Sequence, residues 1–191
     1  YIVFSMDSRG MSGRGRDFKN LSYGDMANYL AKDQATGVRW LIDQGYVNKD
    51  KIGAWGWSGG GYFTCLMLTK NSDLFSVGVG VAPVTDFRLY DTAYTERYMG
   101  LPQENQSGYD STSTMTYVDR LKGKLLLMHG TNDDNVHSQN TTKFVEACIR
   151  ADKPIDVMYY PTRNHGIYGH NATKHVYKKL FEYFRLHLKI G

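Results

Sequence analysis

Apolar residues in this chain fall into short continuous runs, separated by longer stretches in which they recur at helical spacing. Continuous runs bounded by turn residues read as strands covered on both faces, and the helical recurrence reads as helices with one apolar stripe. Strands are predicted at Tyr1-Ile2-Val3-Phe4-Ser5-Met6-Asp7, Ile52–Trp55, Ser76–Ala82, Lys124–His129 and Ile155–Tyr160. Ala27, Leu30, Ala31, Val38, Leu41 and Ile42 share one face of a helix predicted from about Gly24 to Gln44, with Gly45 as its C-cap. Further helices are predicted over Tyr62–Thr69, 137–151 and 172–188, the last with Val176, Leu180, Phe184 and Leu188 as its core stripe. Residues 84–120 read as irregular and aromatic, and Arg9–Arg16 as a surface loop rich in Gly and Arg. Strands alternating with helices predict an α/β fold, with a mostly parallel, doubly wound sheet and helices on both faces.

Length and charge narrow the picture. The chain has 191 residues, the size of one domain with a sizeable core, and a formal net charge of +4. It opens directly on an apolar run, which predicts that the chain is a piece of a longer polypeptide. Basic residues are interleaved with acids. The densest group, Lys174, Lys178 and Lys179, reads as the solvated face of a helix and not as a nucleic-acid site. Cys65 and Cys148 are the only cysteines and are predicted to be buried thiols without a disulfide framework. No apolar run approaches a membrane span, and no signal peptide is evident. No His/Cys pair has zinc spacing, so neither a metal nor a cofactor is expected. The Gly/Arg loop lacks the spacing of a phosphate-binding loop. Asn20, Asn105, Asn140 and Asn171 each begin a glycosylation acceptor pattern.

The chemistry concentrates at Gly56-Trp57-Ser58-Gly59-Gly60, which lies between a predicted strand and a predicted helix. A G-x-S-x-G string in that context is a nucleophile elbow, a tight turn that lifts the serine hydroxyl above the sheet edge. Such a serine needs a base for its proton and an acid that holds the base in the right tautomer. In α/β-hydrolases the order is nucleophile, acid, histidine, each on a loop after a strand. Lys124–His129 runs into Gly130-Thr131-Asn132-Asp133-Asp134, and Ile155–Tyr160 runs into a turn carrying Asn164-His165-Gly166. Asp133 and His165 therefore complete the constellation, with Asp134 a rival acid and His170 a rival base on spacing alone. His129 lies inside its strand and His137 starts a helix. His175 and His187 sit on the solvated face of the C-terminal helix.

Several strings together resemble the prolyl oligopeptidase family, in its dipeptidyl peptidase IV branch. They are Asp7-Ser8-Arg9-Gly10, Trp55-Gly56-Trp57-Ser58, Ala82-Pro83-Val84, Tyr94–Pro102, His129-Gly130-Thr131, Asp133–His137 and Asn164-His165-Gly166. The resemblance covers essentially the whole chain. It implies an α/β-hydrolase domain, with upstream strands and a β-propeller domain outside this chain. It assigns Ser58 as nucleophile, Asp133 rather than Asp134 as acid, and His165 as base. It implies release of dipeptides from free peptide N-termini with proline, or less well alanine, at the second position. Val84, Phe87, Tyr90, Tyr94 and Val136 match the positions of the pocket for that proline, and Asn135 suits a hydrogen bond to a substrate carbonyl. The family usually has a bulky aromatic where this chain has Gly59. The Gly59 N–H still suits the oxyanion hole, but the missing aromatic wall predicts a wider pocket and relaxed selectivity for proline. The family's second oxyanion donor would lie upstream of Tyr1, and losing one such donor typically costs about 10²–10³ in rate. The resemblance also implies a periplasmic, extracellular or cell-surface enzyme, and is compatible with a homodimer through the C-terminal helices. Alternatives are a tripeptidyl or acylaminoacyl peptidase, an esterase, or an inactive fragment that acts only in assembly.

Overall fold

In the computed structural model, which describes residues 1–189, the apolar runs beyond residue 50 all become strands of one parallel sheet. The chain order is α1 (Arg16–Asn20), α2 (Asn28–Asp43), β1 (Gly53–Trp57), α3 (Gly59–Lys70), β2 (Val77–Val81), α4 (Thr92–Met99), α5 (Gln106–Thr112), β3 (Lys124–Gly130), α6 (Gln139–Arg150), β4 (Asp156–Tyr160) and α7 (Ala172–His187). The strands lie side by side in the order β1-β2-β3-β4. Leu125 and Leu127 of β3 pack into a core shared with α2, α3 and α6. Leu126 and Met128, with Val77, Val79 and Val81 of β2, pack under α7. Alternate residues of one strand thus face two different helical layers, which is why the sequence reads as an unbroken apolar run. The expected α7 stripe of Val176, Leu180, Phe184 and Leu188 is buried, as are both free cysteines.

Three expectations require correction. Residues 1–7 are not a strand. Tyr1 to Phe4 are exposed, and the segment touches α2 through the Phe4 and Met6 side chains beside Gly37 and through the Met6 carbonyl, which accepts a hydrogen bond from Gln34 at 3.0 Å. Apolar character alone cannot make a strand, because the backbone N–H and C=O groups need a neighbouring ladder. β1, the first strand of the sheet, pairs only with β2 among the described residues. Directly after the segment, Arg9 forms a forked bond to Asp33 of α2, at 2.5 Å for the closest pair.

Residues 84–120 are largely helical rather than irregular. They hold α4, α5 and two 3-10 turns, Phe87–Leu89 and Thr114–Arg120. The Asp91 and Asn105 side chains cap α4 and α5 by accepting from the N–H groups of Tyr94 and Gly108. Such caps allow short helices that are too small to show a clear apolar period. Finally, His137 precedes α6 instead of starting it, and Ile149, counted on an apolar stripe with Cys148, is exposed. Of the glycosylation-pattern residues, Asn20 and Asn171 are exposed, whereas Asn140 is fully buried and bonded to Thr85.

Candidate active site

A parallel sheet gathers the loops that follow its strands along one edge, and here the loops after β1, β3 and β4 share it. Ser58 directly follows β1 and is the N-cap of α3, with φ 57° and ψ −116°, a conformation that a residue with a Cβ adopts only under strain. The turn is held by its backbone. Ser58 N–H donates to Val81 O at 2.8 Å, and Tyr62 N–H donates to Ser58 O at 2.9 Å. Gly56 is needed because a Cβ there would lie 2.3 Å from the carbonyl carbon of Gly60. Strand and helix therefore touch backbone to backbone around the serine. The first N–H groups of α3 lack intrahelical partners and carry its positive dipole end beside Ser58.

Asp133 lies in the loop after β3 with its side chain wholly buried. Its Oδ1 accepts the N–H groups of Asn135 at 3.0 Å and Val136 at 2.9 Å. Its Oδ2 accepts the Nδ1–H of His165 at 2.8 Å and lies 3.1 Å from Nε2 of His129. Burial pushes the Asp133 pKa up, but the His129 N–H beside it and the hydrogen bonds from His165 and the Asn135 N–H outweigh it and hold the carboxyl well below its ordinary 3.8. With Nδ1 committed to Asp133, Nε2 is the His165 nitrogen left for a serine hydroxyl.

The His165 loop crosses the end of β3 closely. A Cβ on Gly130 would lie 2.2 Å from Arg163 O, so only glycine lets the loop pass there. Asn132 N–H donates to Arg163 O, and Thr162 N–H to the Thr131 hydroxyl, joining the two loops. Ile167, two residues past the histidine, is buried under α7 and anchors the loop. The Trp57 indole N–H donates to His165 O at 2.9 Å, tying the histidine loop to the residue before Ser58. Among the described residues no hydrogen bond joins the Ser58 hydroxyl to His165. Contacts of this kind commonly tighten only when substrate binds. A cleft of about 480 Å³ opens beside His165, walled by Trp57, Tyr168 and Tyr177.

The rivals separate clearly. Asp134 and His170 are both exposed and stand outside the Asp133–His165 pair. His175 and His187 are less simply solvated than expected. His175 Nδ1 lies 2.9 Å from the Tyr160 hydroxyl, and the His187 ring packs on Tyr183 at 4.4 Å.

The expected pocket residues divide into two groups. Val84, Phe87 and Val136 are buried and belong to one apolar core, with Phe87 edge-on to Tyr62 at 4.9 Å. Tyr90, Tyr94 and Asn135 lie nearer the surface, with the two tyrosine rings 5.6 Å apart. The Tyr90 hydroxyl donates to Asn135 Oδ1 at 2.8 Å, which leaves the Asn135 amide N–H groups as donors for a carbonyl. Gly59 is exposed, and no heavy atom stands within 4 Å of where its Cβ would be.

Sequence reasoning missed the parts played by Trp57, Tyr62 and His129. A histidine inside a strand predicted to be wholly buried was the available signal, because a buried imidazole must find polar partners. Among the described residues, no group of three or more His, Cys, Asp and Glu is arranged to hold a metal, and no helix is long and apolar enough to cross a membrane.

The family model described as the prolyl oligopeptidase family matches residues 1–191. An Aspergillus oryzae protein described as "Probable dipeptidyl-aminopeptidase B" is 41% identical over 184 residues, covering 94% of this chain and 20% of that protein. A Botryotinia fuckeliana protein of the same description is 42% identical over 183 residues, with the same coverage. The crystal structure of Porphyromonas gingivalis dipeptidyl peptidase 4 superposes with a TM-score of 0.92 at 39% identity, covering 95% of this chain and 26% of that one. The chain therefore spans about a fifth of the length of the curated relatives it matches.

Proposed function

The chain belongs to the prolyl oligopeptidase family, and we propose that it carries the acylating unit of a serine dipeptidyl peptidase, with Ser58, Asp133 and His165 as its members. The observation that supports this most is the joint tie on His165: Asp133 holds its ring at 2.8 Å, and Trp57 holds its carbonyl at 2.9 Å. In this reading His165 Nε2 takes the Ser58 proton as Oγ attacks the scissile carbonyl. The resulting oxyanion meets the Gly59 N–H at the start of α3. His165 returns the proton to the leaving amine. Water then cleaves the acyl-enzyme with His165 again as base. Asp133 stays ionised throughout, held by its three donors with the His129 N–H beside it.

Val84, Phe87, Tyr90, Tyr94 and Val136 provide the apolar and aromatic wall that a compact proline ring requires, and Asn135 donates to a substrate carbonyl. The open space at Gly59 makes this wall incomplete, so residues larger than proline are accepted more readily. The substrates are peptides with a free N-terminus. Phe181 and Leu186, exposed on α7, offer a second copy of the chain an apolar surface to cover, as a homodimer requires. Work outside the cytoplasm, in the periplasm or at the cell surface, is part of the same proposal and rests on family membership alone.

The test is chromophore release from Gly-Pro, Ala-Ala-Pro and acetyl-Ala conjugates by the full encoded polypeptide, with Ser58→Ala as control. Release from Gly-Pro alone, abolished by the substitution, is expected. Release from either other conjugate instead would move the enzyme to a tripeptidyl or acylaminoacyl specificity. Release that survives Ser58→Ala would overturn the assignment of the nucleophile.

A further inference from the structure

Given the triad reading above, on which this inference rests, we propose that His129 is a positioning residue that sets the orientation of the Asp133 carboxylate toward His165. His129 is the penultimate residue of β3 and is fully buried. Its Nδ1 lies 2.8 Å from the Thr141 hydroxyl of α6, and its Nε2 lies 2.8 Å from Val136 O and 3.1 Å from Asp133 Oδ2. A carbonyl oxygen only accepts, so the proton near Val136 must sit on Nε2. That N–H points at Val136 O, Val136 in turn donates its own N–H to Asp133 Oδ1, and the ring N–H passes 3.1 Å from Asp133 Oδ2; in the neutral ring Nδ1 accepts the Thr141 hydroxyl proton. The ring therefore joins β3, the acid loop and α6 through polar contacts alone.

A core histidine that merely needed partners would be satisfied by Thr141 and Val136. The approach to Asp133 is additional, and it has a geometric consequence. Oδ1 is occupied by the two loop N–H groups, so the remaining freedom of the carboxylate is rocking about Oδ1. Oδ2 carries two lone pairs. His165 takes one, while the His129 ring stands 3.1 Å from Oδ2 on the strand side and holds Val136, whose own N–H fixes Oδ1, so that Oδ2 is turned toward the neighbouring loop. Without His129, Oδ2 is steered only by the imidazole it is meant to steer. The positive end of the ring N–H beside Oδ2 also makes the carboxylate a poorer base, which keeps the proton on His165 during acyl transfer. The low pKa of Asp133 is in keeping with this.

The test uses the full encoded polypeptide and a Gly-Pro chromophore, with kcat expressed per titrated active site so that unfolded protein does not count. His129→Leu removes the donor and keeps an apolar side chain. Its kcat should fall about 10²-fold, as expected for a displaced catalytic group, with KM nearly unchanged. His129→Gln places an amide N–H near the position of Nε2 and should recover kcat to within roughly 5-fold of the parent. The downfield N–H proton resonance of His165 should persist in the parent and in His129→Gln and be lost in His129→Leu. A His129→Leu enzyme with parental kcat per site, or a His129→Gln enzyme as slow as His129→Leu, would overturn the proposal. Asp133→Asn separates the two readings. If it too leaves kcat unchanged, the triad reading fails; if it is slow while His129→Leu is not, only the role of His129 fails.

Discussion

The turn at Ser58 and the loop at Asp133 both hold one side chain still above the same sheet edge, but by different physics. At Ser58 the constraint is steric. The strand and helix backbones meet at Gly56 and Gly60, and the serine is left at a positive φ that the packing enforces. At Asp133 the constraint is polar, with three N–H donors on one buried carboxylate and the His129 N–H 3.1 Å away. The first region should be sensitive to a single added methyl group, and the second to the loss of a single proton.

The largest effect that can break this contrast is Asp133→Asn. It keeps the shape but presents an amide to His165 and should lower kcat by about 10⁴ through the wrong tautomer. Steady-state kinetics on a Gly-Pro conjugate measure it, and a loss below tenfold would mean that the polar constraint is not catalytic. On the steric side, Gly56→Ala drives a Cβ into the Gly60 backbone and should destabilise the fold by about 1–3 kcal/mol. Gly59→Ala, three positions on, meets open space and should stay within about 0.5 kcal/mol of the parent. Denaturant unfolding compares the two; equal losses would show that the turn is not sterically controlled.

A further effect links the two regions. Trp57→Phe removes the indole N–H that holds His165 O, and should cost about 0.5–1.5 kcal/mol of stability with a measurable fall in kcat. The smallest effect is in pH. Asp133 has a depressed pKa in the folded state, so its contribution to stability is present above the ordinary 3.8 and is lost as pH falls toward its folded value. Unfolding midpoints should therefore drop more steeply below about pH 4 in the parent than in Asp133→Asn. Parallel curves would contradict the donor network.

Ser58, Asp133 and His165 stood out in the sequence because each follows a short apolar run that becomes a strand of the sheet. Their order along the chain carries the chemistry. Less was legible where the outcome depends on neighbours distant in sequence. Tyr1–Met6 has the same apolar character as Lys124–His129, yet only the second run has ladders on both sides. α4 and α5 escaped notice because their stability comes from the capping side chains of Asp91 and Asn105 and from packing, not from an apolar period. The bond from Trp57 to the histidine loop spans 108 positions, and the approach of His129 to Val136 O and Asp133 requires knowing how the loop folds back. In both cases the residue type was noted and its partner could not be.

The central claim is that Ser58 is a nucleophile activated by His165. The most direct measurement treats the full encoded polypeptide with a fluorophosphonate and maps the adduct by peptide mass spectrometry. The account predicts a single adduct on Ser58, formed much more slowly in His165→Gln and absent in Ser58→Ala. An adduct on another residue, or labelling of Ser58 at the parental rate in His165→Gln, would contradict it.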